Sequence, residues 1–371
     1  MKRWIWKTGA LLLAMGLLGV LAIVSGLIPI TASSGHWPIT AWFLHFTMKR
    51  SVATHSLWVE VPALDDPGLV LKGAAHYDIG CFPCHGSPAM KQPRIAQQMT
   101  PPPPYLPPRI AEWDAEELFY IVKHGVKFTG MPAWPSQQRD DEVWAMVAFL
   151  QKLPGLDEAG YRRLVHGESV ATPPMQTLGG PQQIPSAAAR SCMQCHGSDG
   201  LGRGSGAFPK LAGQRAEYLQ NALEAYARGE RHSGIMGPIA AGLSAETISE
   251  LARHYSGLSV PAPAPSGQQN AAAIERGQSI AQHGIPNQRV PSCIDCHGPG
   301  GKRGKPAYPV LAGQPADYLV LQLKLFKKGQ RGGSEYAHLM HPVATRLTHE
   351  QMRDVALYLE SLERPNERGA E

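Results

Sequence analysis

Three copies of one short motif constrain this chain more than any other feature. Each copy reads C-x-x-C-H, at residues 81–85, 192–196 and 293–297, and together they contain all six cysteines of the 371 residues. A disulfide framework would be the usual interpretation of six cysteines in a much shorter exported chain. Here no cysteine lies outside a C-x-x-C pair, so the motifs predict three equivalent sites.

The motif has the residues that attach a haem. Two cysteines three positions apart can form thioethers to the vinyl groups on one haem edge, and the adjacent histidine can ligate the iron. A zinc half-site or a redox dithiol also uses C-x-x-C, but three copies that all end in histidine favour haem. We therefore predict three covalently bound haems c, each with its iron. The attachment residues are Cys81, Cys84, Cys192, Cys195, Cys293 and Cys296, and the proximal ligands are His85, His196 and His297.

A methionine follows each motif at a similar distance. Met131 lies 46 residues after His85, Met236 lies 40 after His196, and Met340 lies 43 after His297. A methionine thioether as sixth ligand closes the iron site and raises its potential, which suits electron transfer. His338 and His341 flank Met340 and are the alternative ligands there. The alignment of IMGPIA with LMHPVA favours Met340, because it places Met236 on Met340.

Two long segments of the chain repeat each other. CMQCHGSDGLGRGSGAFPKLAGQRAEYL, from residue 192, matches CIDCHGPGGKRGKPAYPVLAGQPADYL, from residue 293, with a period of 101 residues. The unit around residue 81 is a more distant relative, in which Asp114 and Asp140 are candidate N-caps. Pro- and Gly-rich stretches separate the units and indicate linkers.

The N-terminus carries an export signal. Residues 10–30 form an uncharged run of 21 residues after Lys2, Arg3 and Lys7, which is long enough for a transmembrane helix with a cytoplasmic N-terminus. A cleaved signal peptide is the alternative, and both interpretations export the rest of the chain. Residues 36–60 are rich in aromatic side chains and indicate a segment at the membrane interface. His36, His45 and His55 within it fit interfacial packing better than a fourth metal site.

These features divide the chain into seven segments and predict an all-α fold, with three tandem small domains after one N-terminal transmembrane helix. The segments are 1–35 (membrane anchor), 36–66 (interfacial neck), 67–154 (first domain), 155–184 (linker), 185–260 (second domain), 261–272 (linker) and 273–365 (third domain).

The third unit has a larger excess of basic over acidic residues than the other two. The whole chain carries a formal charge of only +5, and it shows no concentrated basic stripe of the kind expected in a nucleic-acid-binding protein. Residues 285–347, however, contain nine basic and three acidic side chains. This excess predicts a docking surface for an acidic partner, although it also fits a solvated surface or contact with anionic headgroups.

Several repeated residues are candidates for supporting roles. Pro209 and Pro309 each precede a Leu-Ala-Gly-Gln sequence. Each proline can offer its carbonyl to the proximal histidine of its own unit. Arg231 and Arg331 can pair with haem propionates.

At these motifs the chain resembles class I c-type cytochromes. Residues 67–154, with GMPAW, resemble the mono-haem domains of respiratory chains, and residues 185–362 resemble the tandem di-haem cytochromes of the c-four type. The resemblance implies compact helical domains that carry one haem each on His/Met-ligated iron. The anchor and the additional first domain depart from the di-haem family.

The resemblance implies an electron carrier rather than an enzyme. Our leading hypothesis is a single-pass protein of the bacterial cytoplasmic membrane, with its haem domains in the periplasm. It would link a quinol-oxidising complex to a terminal oxidase. The alternative is the cytochrome subunit of a membrane-bound alcohol or sugar dehydrogenase that passes electrons to quinone. A haem peroxidase would need an open iron site, against which three candidate methionines argue.

Overall fold

The computed structural model describes residues 2–167, 186–204, 206–261, 271–298 and 305–364. Within these ranges the chain consists of helices, turns and two isolated β-bridges, without a β-strand. The predicted all-α fold is therefore confirmed. The two Pro- and Gly-rich linkers lie mostly outside the described residues, as do Lys302 and Arg303 of the basic third unit.

The first helix, α1 (Lys2–Val24), has the length and composition of a membrane span. Its segment Arg3–Val24 covers 22 residues with a mean hydropathy of 2.1, and about 20 apolar residues cross a bilayer core. A signal sequence meets the same criterion.

The second helix, α2 (Pro38–His55), joins the N-terminal segment to the first domain. Trp42, Phe43 and Phe46 in its first half are exposed. Its second half packs on the domain, where the His55 ring stacks on Tyr120 at 5.5 Å between ring centroids. His55 therefore contributes to the packing of α2 on the first domain; the predicted position at the membrane interface stays a prediction.

The first domain is built around two crossing helices. Its elements are α3 (Pro67–Gly80), α4 (Phe82–His85), α5 (Arg94–Gln97), α6 (Ala115–His124), α7 (Asp140–Lys152) and α8 (Glu158–His166). Helix α3 crosses α7 closely because Gly73 has no side chain: a Cβ there would overlap the Ala145 carbonyl oxygen. Helix α8 lies within the predicted linker, and its Tyr161 and Val165 are buried in the core of this domain.

Helix boundaries in the first domain follow from capping residues. Asp114 and Glu117 form a capping box at the start of α6, so the predicted N-cap is confirmed there. Asp140 is the first residue of α7 and Arg139 is its N-cap, so the second predicted N-cap was wrong by one position. The acidic residues of that first turn still suit the positive end of the helix dipole.

The second and third domains repeat one architecture. The second contains α9 (Ser186–His196), α10 (Ala216–Ala227), α11 (Met236–Ala241) and α12 (Ala245–Gly257). The third contains α13 (Ala271–His283), α14 (Ile294–His297), α15 (Ala316–Lys327), α16 (Met340–Arg346) and α17 (His349–Ser361). Gly277 allows α13 to cross α17, since a Cβ there would overlap the Asp354 carbonyl oxygen.

The first and second domains are in direct contact. Ala75 and Leu71 of α3 form one apolar cluster with Cys195 and Phe208. At one side of this contact, Arg203 donates hydrogen bonds to the carbonyl oxygens of Val165 and Leu164 at the end of α8, both at 3.0 Å. A cation at a helix C-terminus is favourable because the last carbonyls lack partners within the helix.

Two glutamines at the same position of the repeat join the second and third domains. Gln214 donates from Nε2 to the Val310 carbonyl (3.0 Å) and accepts at Oε1 from the Val310 N–H (2.7 Å). Gln314 donates to the Lys210 carbonyl (2.7 Å) and accepts from the Lys210 N–H (3.0 Å). The interface therefore has local two-fold pseudosymmetry, which a repeated sequence produces when its copies pack through the same face.

Candidate functional site

Each C-x-x-C-H motif is helical: the first and third are short helices of four residues, α4 and α14, and the second is the end of α9. In the first motif the N–H of Cys84 and that of His85 both point to the Cys81 carbonyl, at 3.1 and 2.9 Å. The third motif repeats this pattern at Cys293. Because positions i, i+3 and i+4 share one face of a helix, both thiols and the imidazole project to the same side.

The three proximal histidines have the same hydrogen-bond partner. The Nδ1 atoms of His85, His196 and His297 lie 2.9, 3.0 and 3.0 Å from proline carbonyl oxygens. These oxygens belong to Pro104, Pro209 and Pro309 respectively. A carbonyl only accepts, so Nδ1 carries the proton and Nε2 keeps its lone pair for a metal. The predicted roles of Pro209 and Pro309 are confirmed.

The surroundings keep these imidazoles neutral. Burial lowers the pKa of His85, His196 and His297, and the hydrogen bond to the proline carbonyl opposes this only in part. Neutral imidazole is the form that ligates metal. The electrostatics and the tautomer therefore both prepare Nε2 for iron.

The six cysteines are free of disulfides. Burial raises the pKa of Cys81 and Cys195 to about 12, and that of Cys192 and Cys293 to about 11. A redox dithiol needs an accessible thiolate, which a lowered pKa would favour. The described residues also contain no group of three His, Cys, Asp or Glu side chains placed to hold a bare metal ion. These observations favour haem attachment over both rival readings of C-x-x-C.

The methionines of the two repeats occupy equivalent places. Met236 is the first residue of α11 and Met340 the first of α16. In the third domain, Leu323 packs against both the cluster that contains Met340 and the one that contains Cys293. The fold thus brings the Met340 segment and the attachment motif to the same helix, α15.

Met131 lies in a loop rather than at a helix start. Its N–H donates to Thr129 Oγ1 (3.0 Å), and its carbonyl accepts from the Val126 N–H (3.2 Å). The side chain of Met99 contacts Gly130, the residue before Met131. The structure therefore places a second thioether beside this loop, which spacing along the sequence did not suggest. Met131 remains the predicted ligand.

The two histidines beside Met340 make backbone hydrogen bonds. His341 Nδ1 lies 2.7 Å from the Phe326 carbonyl, and His338 Nδ1 lies 3.1 Å from the Glu335 carbonyl. His338 is exposed, whereas Met340 is partly buried. These hydrogen bonds leave Nε2 free in both histidines and therefore do not decide the ligand. The greater burial of Met340 favours it, and it stays a prediction.

A carboxylate from the first domain holds the Met236 segment of the second. Glu142 Oε1 accepts from Ser233 Oγ and Oε2 accepts from the Gly234 N–H, both at 2.6 Å. Ser233 Oγ in turn accepts from the Met236 N–H at 2.9 Å. Glu142 is 3% exposed and is paired with Arg139 at 2.9 Å. Burial raises its pKa, and Arg139 opposes that rise.

Comparison with known proteins identifies the family. Residues 68–150 match the family of cytochrome c oxidase, cbb3-type, subunit III, and residues 185–252 and 274–363 match the cytochrome c family. The thiosulfate dehydrogenase electron acceptor of Thiomonas intermedia is 40% identical over 174 residues, which are 46% of this chain and 78% of that protein. The chain belongs to the class I c-type cytochromes.

This c-type cytochrome matches two further relatives over a larger share of their length. Cytochrome c-552 of Acidithiobacillus ferridurans is 35% identical over 54% of this chain and 84% of that protein. Cytochrome c4 of Thiocapsa roseopersicina is 31% identical over 53% of this chain and 98% of that protein. The predicted resemblance of the chain to class I and c-four-type cytochromes is confirmed. Covalently bound haem c follows from the family.

Two arginines of this cytochrome are suited to pair with the propionate groups of a haem. Arg231 and Arg331 lie 3.4 and 3.2 Å from the Tyr218 hydroxyl, and Arg231 reaches Tyr318 at 3.5 Å. Burial raises the pKa of Tyr218, but the two guanidinium groups bring it down to about 8. Among the described residues no carboxylate pairs with either arginine. Haem propionates would supply the missing negative charge.

Sequence reasoning missed three parts of this cytochrome's sites. Pro104 is one of four consecutive prolines at 101–104, and no repeat partner singles it out. Glu142 reads as an ordinary acid in the first turn of α7. Gln214 and Gln314 are visible as repeated residues, but their partners lie in the other domain.

Proposed function

We propose that this cytochrome is a membrane-anchored carrier of three haems c, which relays electrons from a periplasmic dehydrogenase towards a terminal oxidase. The observation that carries the proposal is the threefold occurrence of one proximal site: C-x-x-C-H with Nδ1 bonded to a proline carbonyl. Haem c, when bound, supplies an iron couple that accepts and releases single electrons. The protein holds the group through the six cysteines, His85, His196, His297 and, in our proposal, Met131, Met236 and Met340.

Similarity to known proteins supports both the proposed electron donor and the proposed electron acceptor. The first domain matches a subunit family of cbb3-type oxidases, and two relatives are named electron acceptors of thiosulfate dehydrogenase. An inorganic sulfur compound is therefore the proposed electron source. A membrane-bound alcohol or sugar dehydrogenase is the second candidate, and purification from native membranes separates the two by the enzyme that accompanies the protein.

Haem number and ligation are tested first. Mass spectrometry of the mature protein should show three added haem masses, and two or fewer would refute the proposal. Met340→Ala should remove about a third of the weak near-infrared sulfur-to-iron band that His/Met ferric haems give. His338→Ala and His341→Ala are the matched controls and should leave the band intact. An intact band in Met340→Ala, together with an altered haem spectrum in a histidine variant, would reassign the ligand to that histidine.

The third domain offers a docking surface for an acidic partner. Lys324, Lys327 and Lys328 at the end of α15 are exposed, as is Arg346. Leu339, next to Met340, is 46% exposed. Exposed basic side chains steer an acidic protein by long-range attraction. We define the third-domain surface by these five residues.

Neutralising this surface should slow partner reduction or oxidation. The variant Lys324→Gln/Lys327→Gln/Lys328→Gln should lower the second-order rate at low salt by about tenfold and flatten its salt dependence. Stopped-flow measurements across ionic strength check this. The control replaces Lys91, Arg94 and Lys152 of the first domain, which are also exposed, by glutamine and changes the net charge equally. If the control slows the reaction as much as the variant does, net charge rather than this surface is responsible.

A further inference from the structure

The peptide group behind each repeat histidine is hydrogen-bonded at both ends. The Pro309 carbonyl, which accepts from His297 Nδ1 (3.0 Å), belongs to the same amide as the Val310 N–H, which donates to Gln214 Oε1 (2.7 Å). The Pro209 carbonyl and the Lys210 N–H form the matching amide between His196 and Gln314, with distances of 3.0 and 3.0 Å. In both cases the glutamine belongs to the other domain.

We propose that Gln214 and Gln314 are positioning residues that act across the interface, each adjusting the proximal histidine of the opposite domain through one peptide group. An amide whose N–H is engaged becomes a stronger acceptor at its carbonyl, because linked hydrogen bonds polarise one another. A stronger acceptor at Nδ1–H makes the imidazole a more basic ligand at Nε2. A more basic ligand stabilises the ferric state and lowers the reduction potential.

The interior location makes this coupling effective. Gln214 and Gln314 are each 3% exposed, and Val310 is also 3% exposed. Water therefore does not compete for the Val310 N–H, and the local dielectric is low, so a polarised amide is not screened. Each glutamine also donates back to the carbonyl of the residue whose N–H it accepts, which fixes its orientation.

The first domain supplies an internal comparison. His85 bonds to the Pro104 carbonyl at 2.9 Å, and the other half of that amide is the Tyr105 N–H. Among the hydrogen bonds of the described residues, none runs from this N–H to a side chain of another domain. The first site should therefore not respond to changes at either glutamine. The inference rests on the proposed function, since it assumes iron on all three histidines.

The test uses the full-length protein and two crossed substitutions. Gln214→Met keeps the length of the side chain but removes the strong acceptor for the Val310 N–H. We expect the reduced-to-oxidised ratio of the third-domain haem, at a fixed ambient potential, to rise about threefold. This corresponds to about 28 mV for one electron. The second-domain haem should change less than half as much. In Gln314→Met the second-domain haem should show the larger rise in this ratio and the third-domain haem the smaller one.

Domain-resolved NMR during a redox titration reads out these ratios. In the reduced protein, the Nδ1 proton of His297 should also move upfield in Gln214→Met, while that of His85 stays unchanged. Gln220→Met is the matched control, because Gln220 bonds to Glu224 in its own helix. If Gln214→Met folds poorly, Gln214→Glu at mildly acidic pH keeps both an acceptor and a donor when protonated, and should retain the parental potential.

The outcomes separate the two proposals. A parent protein with fewer than three haems contradicts the proposed function. Three haems with equal shifts at both sites, with no shift, or with a shift only in the substituted domain contradict the cross-domain relay alone.

Discussion

Replacing Glu142 by alanine should weaken the contact between the first and second domains at a cost of about 3–5 kcal/mol, the range expected when one partner of a buried ion pair is removed. The substitution leaves three donors without their acceptor: Ser233 Oγ, the Gly234 N–H and Trp134 Nε1. Arg139 keeps Asp141 as a partner, at 2.8 Å. The loss therefore falls mainly on the segment before Met236.

Hydrogen exchange measures this effect directly. The amides of Gly234 and Met236 should exchange at least a hundredfold faster in Glu142→Ala, since 1.4 kcal/mol corresponds to a factor of about ten. Glu158→Ala is the matched control, because Glu158 also pairs with an arginine, Arg162, but is 59% exposed. It should change stability by less than about 1 kcal/mol. Unchanged protection at Gly234 in Glu142→Ala would contradict our account of the interface.

Gly277→Ala should destabilise the third domain by about 2 kcal/mol or more. The added methyl would overlap the Asp354 carbonyl oxygen of α17, and overpacking of this kind costs about 1–3 kcal/mol. A backbone atom cannot rotate away, and Arg276 holds the Asp354 carboxylate at 2.6 Å. The strain exceeds the 0.5–1 kcal/mol that alanine gains over glycine within a helix.

Chemical unfolding of Gly277→Ala, compared with a control variant, tests the close crossing of α13 and α17. Gly257→Ala is the control, because a Cβ at that helical position would meet no atom within 4 Å. It should be neutral or slightly stabilising. Equal stability of the two variants would mean that α13 and α17 are not in close contact at Gly277.

Local patterns in the sequence predicted the features that depend on short stretches of chain. The motif at residues 293–297 indicated two thiols and an imidazole that serve one haem, and Asp114 indicated a helix start. The repeat predicted the roles of Pro209 and Pro309, because a proline recurs two residues before Leu-Ala-Gly-Gln, 13 and 12 residues after the two histidines.

Features that join distant residues were not accessible in this way. Gln214 and Val310 are 96 residues apart, and Glu142 meets Ser233 across 91 residues. A single sequence carries no signal for such pairs, because nothing in it distinguishes a glutamine or glutamate that becomes buried from one that stays exposed. Helix α8 was also missed, because residues 158–166 follow Pro154 and Gly155 and carry only a short apolar stripe.

The covering of the Met236 segment by the first domain has a consequence for kinetics. The residues before Met131 and Met340, Gly130 and Leu339, are exposed, whereas Ile235 before Met236 is half-buried and Ser233 and Gly234 are buried. In the proposed relay, two partners could therefore bind at the first and third domains without competing for one surface. Turnover with both partners present should then follow a ternary-complex rate law, with intersecting reciprocal plots, and not the parallel lines of a carrier that must release one partner before it meets the next.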